Sequence, residues 1–181
     1  MENIIRYRNL SMDEIDRDLF RHFIRHQVVT DCLRKIEGKW VIKSCPFIDD
    51  WSEADYETLV VCLKRTVRTG GFVCAAFYED HLKGFVSVEP QLFGDAHRYL
   101  DLSSLHVSED MRGHGIGKTL FESAKKWAAS KGAEKLYISS HSAVESQAFY
   151  QAMGCVDATY CHQEHVEAEP FDRQLECDVN T

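Results

Sequence analysis

Residues 112–117 read Arg-Gly-His-Gly-Ile-Gly, and what surrounds them limits the folds open to this chain. An apolar, strand-like stretch, Tyr99 to Val107, runs into the glycines, and a helix-like stretch, Ile116 to Ser130, runs out of them. Three glycines in such a turn let backbone N–H groups approach a ligand with no side chains in the way. Where the turn opens a helix, the same N–H groups meet the positive end of the helix dipole, which suits a phosphate-bearing ligand. A dinucleotide-binding unit would carry its glycine loop after the first strand. Here at least three strand-like stretches come first, so the expected architecture is a mixed α+β sheet rather than a doubly wound parallel one.

The rest of the chain supplies the order of elements. Ser11-Met-Asp-Glu14 has the form of a capping box, and Ile15, Leu19, Phe23 and Ile24 follow at helical spacing, with the pattern continuing, after a break, to Gly38. Ser52-Glu-Ala-Asp55 is a second capping signal. Tyr56, Leu59, Val60, Leu63 and Val67 then make one helical face, stopped by Gly70-Gly71. Phe72 to Tyr78 and Leu82 to Val88 read as a hairpin around Glu79-Asp-His81, and Tyr99 to Val107 as a third strand. After the loop come a helix with Ile116, Leu120, Phe121, Ala124, Trp127 and Ala128 on one face, a strand at Lys135 to Ser139, and a short helix at Glu145 to Met153. Cys155 to Cys161 and Arg173 to Val179 read as a final pair of strands joined by an acidic loop.

Composition removes several classes of function. A chain of 181 residues with net charge −8 lacks the surplus of Lys and Arg that phosphate neutralisation requires, so nucleic acid is not an expected partner. No apolar run is long enough to cross a bilayer, and the N-terminus lacks the apolar stretch of a signal peptide. The seven cysteines are odd in number, scattered, and free of Cys-x-x-Cys pairs. They read as buried thiols of a cytoplasmic protein rather than a disulfide framework.

With both ends of the loop placed, the chain resembles the GCN5-related N-acetyltransferase (GNAT) family. Arg112, Gly115 and Gly117 fill that family's fingerprint of Gln or Arg, two residues, Gly, one residue, and Gly or Ala; Gly113 is the glycine often seen after its first position. A second block, Phe149-Tyr150-Gln-Ala-Met-Gly154-Cys155, is similar to the family's late aromatic-Tyr…Gly-Phe segment, with Cys155 where Phe is usual. The match covers residues 70 to 180. The resemblance implies a central, mostly antiparallel twisted sheet flanked by helices. It implies one N-acetyltransferase domain over residues 1–181: variable N-terminal helices at 1–70, then a CoA-binding core and C-terminal hairpin at 71–181.

It also implies acetyl-CoA as cosubstrate, with no metal. Backbone groups of Leu105, His106 and Val107 would pair with the pantetheine arm, and one of their N–H groups can polarise the thioester carbonyl. The turn formed by Arg112, Gly113, His114, Gly115, Ile116, Gly117 and Lys118 would take the pyrophosphate, with Lys118 either near a phosphate or simply solvated. Tyr150 would be the general acid for the departing thiolate, since a phenol with a pKa of roughly 10 stays protonated at neutral pH; otherwise it is a core aromatic beside Phe149. Ser146, one turn before Tyr150, either hydrogen-bonds the pantetheine or caps its helix.

The general base stays open among Asp101, His106, Glu89 and His141, with a water chain as the other route; Glu89 and Asp101 are placed beside the acceptor. Asp101 and His106 lie on opposite faces of their strand unless a bulge intervenes. Cys161-His162-Gln-Glu164-His165 has the wrong spacing for a zinc motif. The acidic stretch Glu164, Glu167, Glu169 and Asp172 either borders the acceptor or is a solvated loop. The expected reaction is direct attack by a primary amine of a small molecule or peptide, with no acyl-enzyme. The other reading is a non-catalytic acyl-CoA-binding regulatory domain. Members of the family are often homodimers, and nothing in this sequence fixes the oligomeric state.

Overall fold

The computed structural model describes residues 4–181; Met1–Asn3, at the start of the expected N-terminal segment, lie outside the described residues. A seven-stranded sheet has the order β1-β4-β5-β6-β7-β9-β8, and β2 and β3 form a separate two-stranded ribbon. The strands are β1 (Arg6–Asn9), β2 (His26–Ile36), β3 (Lys39–Asp50), β4 (Phe72–Tyr78), β5 (His81–Val88), β6 (Tyr99–Val107), β7 (Lys135–Ser140), β8 (Val156–Asp157) and β9 (Arg173–Asp178). The α-helices are α1 (Glu53–Arg68), α2 (Ile116–Ser130), α3 (Val144–Ala152) and α4 (Gln163–Ala168). Every pairing in the large sheet is antiparallel except β6 with β7. This is the mixed, mostly antiparallel architecture that the loop's late position calls for.

The two sheet faces carry separate apolar cores. Ile116, Leu120, Phe121, Ala124 and Ala128 of α2 pack with Cys74, Val86, Leu100 and Leu136. Tyr56 and Leu63 of α1, together with Ile15, Phe20 and Phe23, cover Val73, Ala75 and Phe85 on the other face. Each large side chain buried this way contributes about 1.5–3 kcal/mol. The periodicity read from the sequence therefore holds for α1 and α2. The start of α1 is the capping box its sequence spells: Asp55 N–H donates to Ser52 Oγ (3.2 Å) and Ser52 N–H to Asp55 Oδ2 (2.8 Å). The approach of α2 is set at Gly84 of β5, where an added Cβ would come within 2.7 Å of Ile116 Cγ2.

Ahead of α1 the chain differs from the expectation of helices. Ser11 N–H does bond Glu14 Oε1 at 2.6 Å, but the element it caps is a single 3₁₀ turn, Met12–Glu14, with another at Asp18–Phe20. Beyond them the chain is the β2–β3 ribbon. Helical spacing misled there: of Ile15, Leu19, Phe23 and Ile24, only Ile15 and Phe23 are buried, joined in the core by Phe20 from a folded-back segment, while Ile24 is exposed. The apolar residues of 28–48 then pair across the ribbon, Val28 opposite Ile48 and Leu33 opposite Ile42. The last hairpin also differs: β8 is two residues long, and residues 163–168 of the connection form α4.

Candidate active site

β6 and β7 pair in parallel only over Tyr99–Asp101 and Lys135–Tyr137. Past that point they diverge, and a cleft of about 1050 Å³ opens between them. Its floor is residues 102–107 of β6 and 138–141; α3 contributes Ser146, Phe149 and Tyr150, and the ribbon contributes Phe47 and Asp49. The glycine loop closes one end, with Arg112, Gly113, Gly115, Gly117 and Lys118 on the wall.

A bulge shapes the β6 side. Ser87 pairs with Ser104 and Val88 with Leu102, leaving Ser103 as an extra residue. The extra residue turns the alternation over, so Asp101 and His106 share a face. Ser108 N–H bonds Lys83 O at 2.8 Å, and the strand alternates from there. The backbone of His106 therefore faces β5, while the N–H and C=O of Leu105 and Val107 face the open cleft. His106 brings its imidazole instead, edge-on to Trp51 with ring centroids 4.7 Å apart. Burial, helped by the positive charges of Arg25 and Arg112, lowers its pKa to about 3, so the ring is neutral at physiological pH.

The loop leaves its amides open. Gly113 and Gly115 have φ of +80° and +77°, backbone that a side chain would strain. Nothing lies within 4 Å of a Cβ built on either, so their sides toward the cleft are clear. Thr119 N–H bonds Gly115 O at 3.1 Å and starts the α2 ladder. Among the described residues, none of the amides from Gly113 to Lys118 donates to a protein acceptor. These N–H groups sit at the positive end of α2 and suit an anionic diphosphate. The His114 ring turns away, its Nδ1 3.2 Å from Met111 O and 3.1 Å from Arg112 O. The Arg112 guanidinium is engaged too, donating to His26 O at 2.8 Å. The loop's root is held by a second tie, Lys83 Nζ to Asp110 Oδ2 at 2.7 Å and to His22 O at 2.8 Å.

Tyr150 is buried against Phe121 and Phe149, yet it lines the cleft, and among the described residues its hydroxyl has no hydrogen-bond partner. Burial pushes its pKa up, with Cys155 and Asp172 adding to the shift, so the phenol keeps its proton. Ser146 faces the same cleft from inside α3, whose N-cap position belongs to Ala143.

The remaining candidates separate. Glu89 lies outside the main cleft, in a 330 Å³ side pocket under α1 that shares Trp51, Ser103, Ser104 and His106 with it. Its carboxylate accepts from Thr66 Oγ1 (2.7 Å) and Ser103 Oγ (2.9 Å). Asp101 does not line the cleft; its Oδ2 is 2.9 Å from His165 Nε2. His141 does line it. So does Asp172, whose pKa burial raises against a 3.0 Å bond from Ser139 Oγ. The acidic stretch thus divides: Glu169 and Asp172 reach the cleft, and Glu164 and Glu167 stay on exposed turns of α4. Residues 161–165 enter α4 rather than a strand, and among the described residues no cluster of His, Cys, Asp and Glu is arranged to hold a metal. Sequence reasoning missed Arg25, Asp49, Phe47 and Trp51 on the wall. Their only signal was the aromatic side chains of Phe47 and Trp51 beside polar neighbours.

Comparison with known proteins agrees with this geometry. The model of the Acetyltransferase (GNAT) family matches residues 38–155. No curated protein sequence matches the chain. Among solved structures, the fold is similar to that of nourseothricin acetyltransferase (TM-score 0.66, 17% identity, covering 97% of this chain and 98% of that one). It is similar as well to PaiA N-acetyltransferase from Thermoplasma acidophilum in complex with coenzyme A (TM-score 0.58, 18% identity, 97% and 99% covered). A third is aminoglycoside 6′-N-acetyltransferase complexed with coenzyme A (TM-score 0.54, 18% identity, 71% and 82% covered). With a family model spanning most of its length and a cleft whose open amides suit a diphosphate, this chain belongs to the GNAT acetyltransferase family.

Proposed function

We propose that the chain is an N-acetyltransferase that moves an acetyl group from acetyl-CoA directly to a primary amine. The observation that carries the proposal is one cleft holding both the open amides of Gly113–Lys118 and the unpartnered hydroxyl of Tyr150. The loop amides hold the diphosphate of CoA, and the free backbone groups of Leu105 and Val107 pair with the amides of its pantetheine arm. That seats the thioester where β6 and β7 part. An N–H of β6 there stabilises the charge that develops on the carbonyl oxygen as the amine attacks. Tyr150, kept protonated by burial, gives its proton to the departing thiolate.

The acceptor enters from the ribbon side, past Asp49, Glu169 and Asp172. Asp49 is paired with Arg25, and the carboxylates of Glu169 and Asp172, with no ion pair among the described residues, favour a cationic amine. Asp172 takes the proton the amine loses: burial raises its pKa toward that task, and its charge reaches Tyr150, adding to the rise in the phenol's pKa. A neutral His106 beside Trp51 forms an uncharged wall against which the attacking nitrogen can lose its charge.

The test is release of CoA thiol from acetyl-CoA in the presence of polyamines, aminoglycosides, streptothricin-type antibiotics, amino acids and short peptides. Thermal melts with and without acetyl-CoA accompany it. Amine-dependent thiol release supports the proposal. A melt raised by acetyl-CoA with no thiol released by any amine would make the chain an acyl-CoA-binding domain without catalysis.

A further inference from the structure

β8 lies at the outer edge of the large sheet with β9 as its one neighbour. In that pair Val156 faces Glu176 and Asp157 faces Leu175. One step back in the same register, Cys155 faces Cys177. Ala158 N–H donates to Gln174 O at 2.9 Å, which makes 158/174 and, by alternation, 156/176 the hydrogen-bonded pairs. Cys155 and Cys177 therefore face each other as a non-hydrogen-bonded pair, the closer of the two antiparallel arrangements, with Cα atoms about 4.5 Å apart. A disulfide accepts Cα separations of roughly 4.4–6.8 Å, so the backbone already stands where such a bond needs it. Consistent with the register, the Cys155 N–H turns away from β9 and donates to Tyr150 O at 3.0 Å. Both side chains are buried in the core under α2.

From this opposition we infer that Cys155 and Cys177 are a reversible redox site, closing to a cross-strand disulfide in the presence of a two-electron oxidant such as hydrogen peroxide. Each thiol is the strongest influence on the other's ionisation. A remaining S–H that donates to the first thiolate, with the buried ammonium of Lys125 nearby, eases loss of the first proton and lowers the pKa of the Cys177 thiol. The Cys177 thiolate attacks a peroxide oxygen; the O–O bond breaks, the departing hydroxide takes up the released proton as water, and a sulfenic acid remains. The Cys155 sulfur then attacks that sulfenic sulfur. An S–S bond forms as the S–O bond breaks, and the leaving hydroxide takes the Cys155 proton as a second water. Two thiols and one peroxide thus give one disulfide and two waters. Access comes from the edge, because a two-residue strand paired on one side frays more readily than the sheet centre.

The bond would close the segment 156–176 into a loop at its root, directly behind Tyr150. That segment carries α4 and supplies Glu169 and Asp172 to the cleft wall. The site thus ties the redox state of the sheet edge to the rigidity of the wall opposite the glycine loop.

Hydrogen peroxide treatment of the folded full-length protein, N-ethylmaleimide quenching and peptide mass spectrometry form the test. The expected product is one linked peptide pair, Cys155 with Cys177, reversed by dithiothreitol, together with a Tm raised by roughly 5–10 °C over the reduced protein. Cys161→Ser, which removes the exposed cysteine of the segment, keeps the link and the shift, and Cys177→Ala loses both. Refolding from denaturant in a mixture of reduced and oxidised glutathione offers the sulfurs to oxidant regardless of burial. Recovery of both cysteines as alkylated thiols after that refolding, or their pairing with other cysteines, would overturn the inference. So would a linked pair that lowers Tm, since the register then could not hold an unstrained bridge.

Discussion

The glycine loop and the β2–β3 ribbon border the same cleft, and they are made in opposite ways. The loop works through backbone. Its conformation follows from Gly113 and Gly115 at positive φ and from a helix that must begin there, and its chemistry lies in N–H groups that any sequence with those glycines would present. The ribbon works through side chains and distant contacts. It is seated by Leu33 N–H on Ser142 O (2.8 Å) and Arg34 on Ser142 Oγ (2.8 Å), partners more than a hundred residues away. At its base Arg25 pairs with Asp49 at 2.8 Å. The difference teaches that the end holding a constant cosubstrate can be encoded locally. The end that would face the acceptor in the proposed reaction is free to vary because nothing local fixes it.

The sharpest test of that division is at the point where the two ends meet. Tyr150→Phe should lower kcat by about 10²–10³-fold. The KM for acetyl-CoA and the thermal shift it induces should stay within about twofold, as read by steady-state kinetics and melts. A variant with full turnover would remove Tyr150 from the chemistry. Next, Gly115→Val should weaken acetyl-CoA binding by about tenfold or more while destabilising the fold by about 1–2 kcal/mol, because a branched residue is forced into left-handed backbone. Its KM for the amine should hardly move, and titration calorimetry with CoA separates the two effects.

The ribbon should answer in the converse sense. Phe47 packs with Val29, Cys32 and Ala143, and its ring centroid is 5.7 Å from that of His141. Phe47→Ala should raise the KM for the amine several-fold and leave that for acetyl-CoA unchanged. An equal effect on both substrates would break the comparison.

These expectations mark how far the sequence could be read. Arg112 to Gly117 and Phe149-Tyr150 were legible because turns, caps and helix faces are local, and the 3.6-residue period of α1 and α2 survives folding. The segment before the ribbon was not legible, since Ile15, Leu19 and Phe23 stand at helical spacing while the chain there makes only two 3₁₀ turns, and the ribbon itself depends on contacts distant in sequence. Asp101 and His106 could not be assigned to a face until the bulge at Ser103 was seen, because one extra residue inverts the alternation. Asp172 stood in an acidic run that could border the acceptor or be a solvated loop, and only the path of the chain after α4 brings it to Ser139.

The smallest effect concerns α4, which His165 fastens to β6 through Asp101. The hydrogen bond to Asp101 raises the His165 pKa against the opposing effect of burial, and Asp172 and Glu164 add to the rise. A folded-state pKa above the unfolded value of roughly 6.5 means the stabilisation is complete below that pH and is lost as pH rises through the folded value. The stability difference between wild type and His165→Gln should therefore be largest below a pH of roughly 6.5, at about 1 kcal/mol, and shrink as pH rises above it. A difference that grew with pH would place the charge on the wrong side of the pair.

The most direct test of the account is a crystal structure of the protein grown with acetyl-CoA. The account predicts the diphosphate oxygens within hydrogen-bonding distance of the amides of residues 113–118, and the thioester sulfur beside the Tyr150 hydroxyl. Acetyl-CoA bound elsewhere, or a saturated crystal in which those amides meet only solvent, would contradict it.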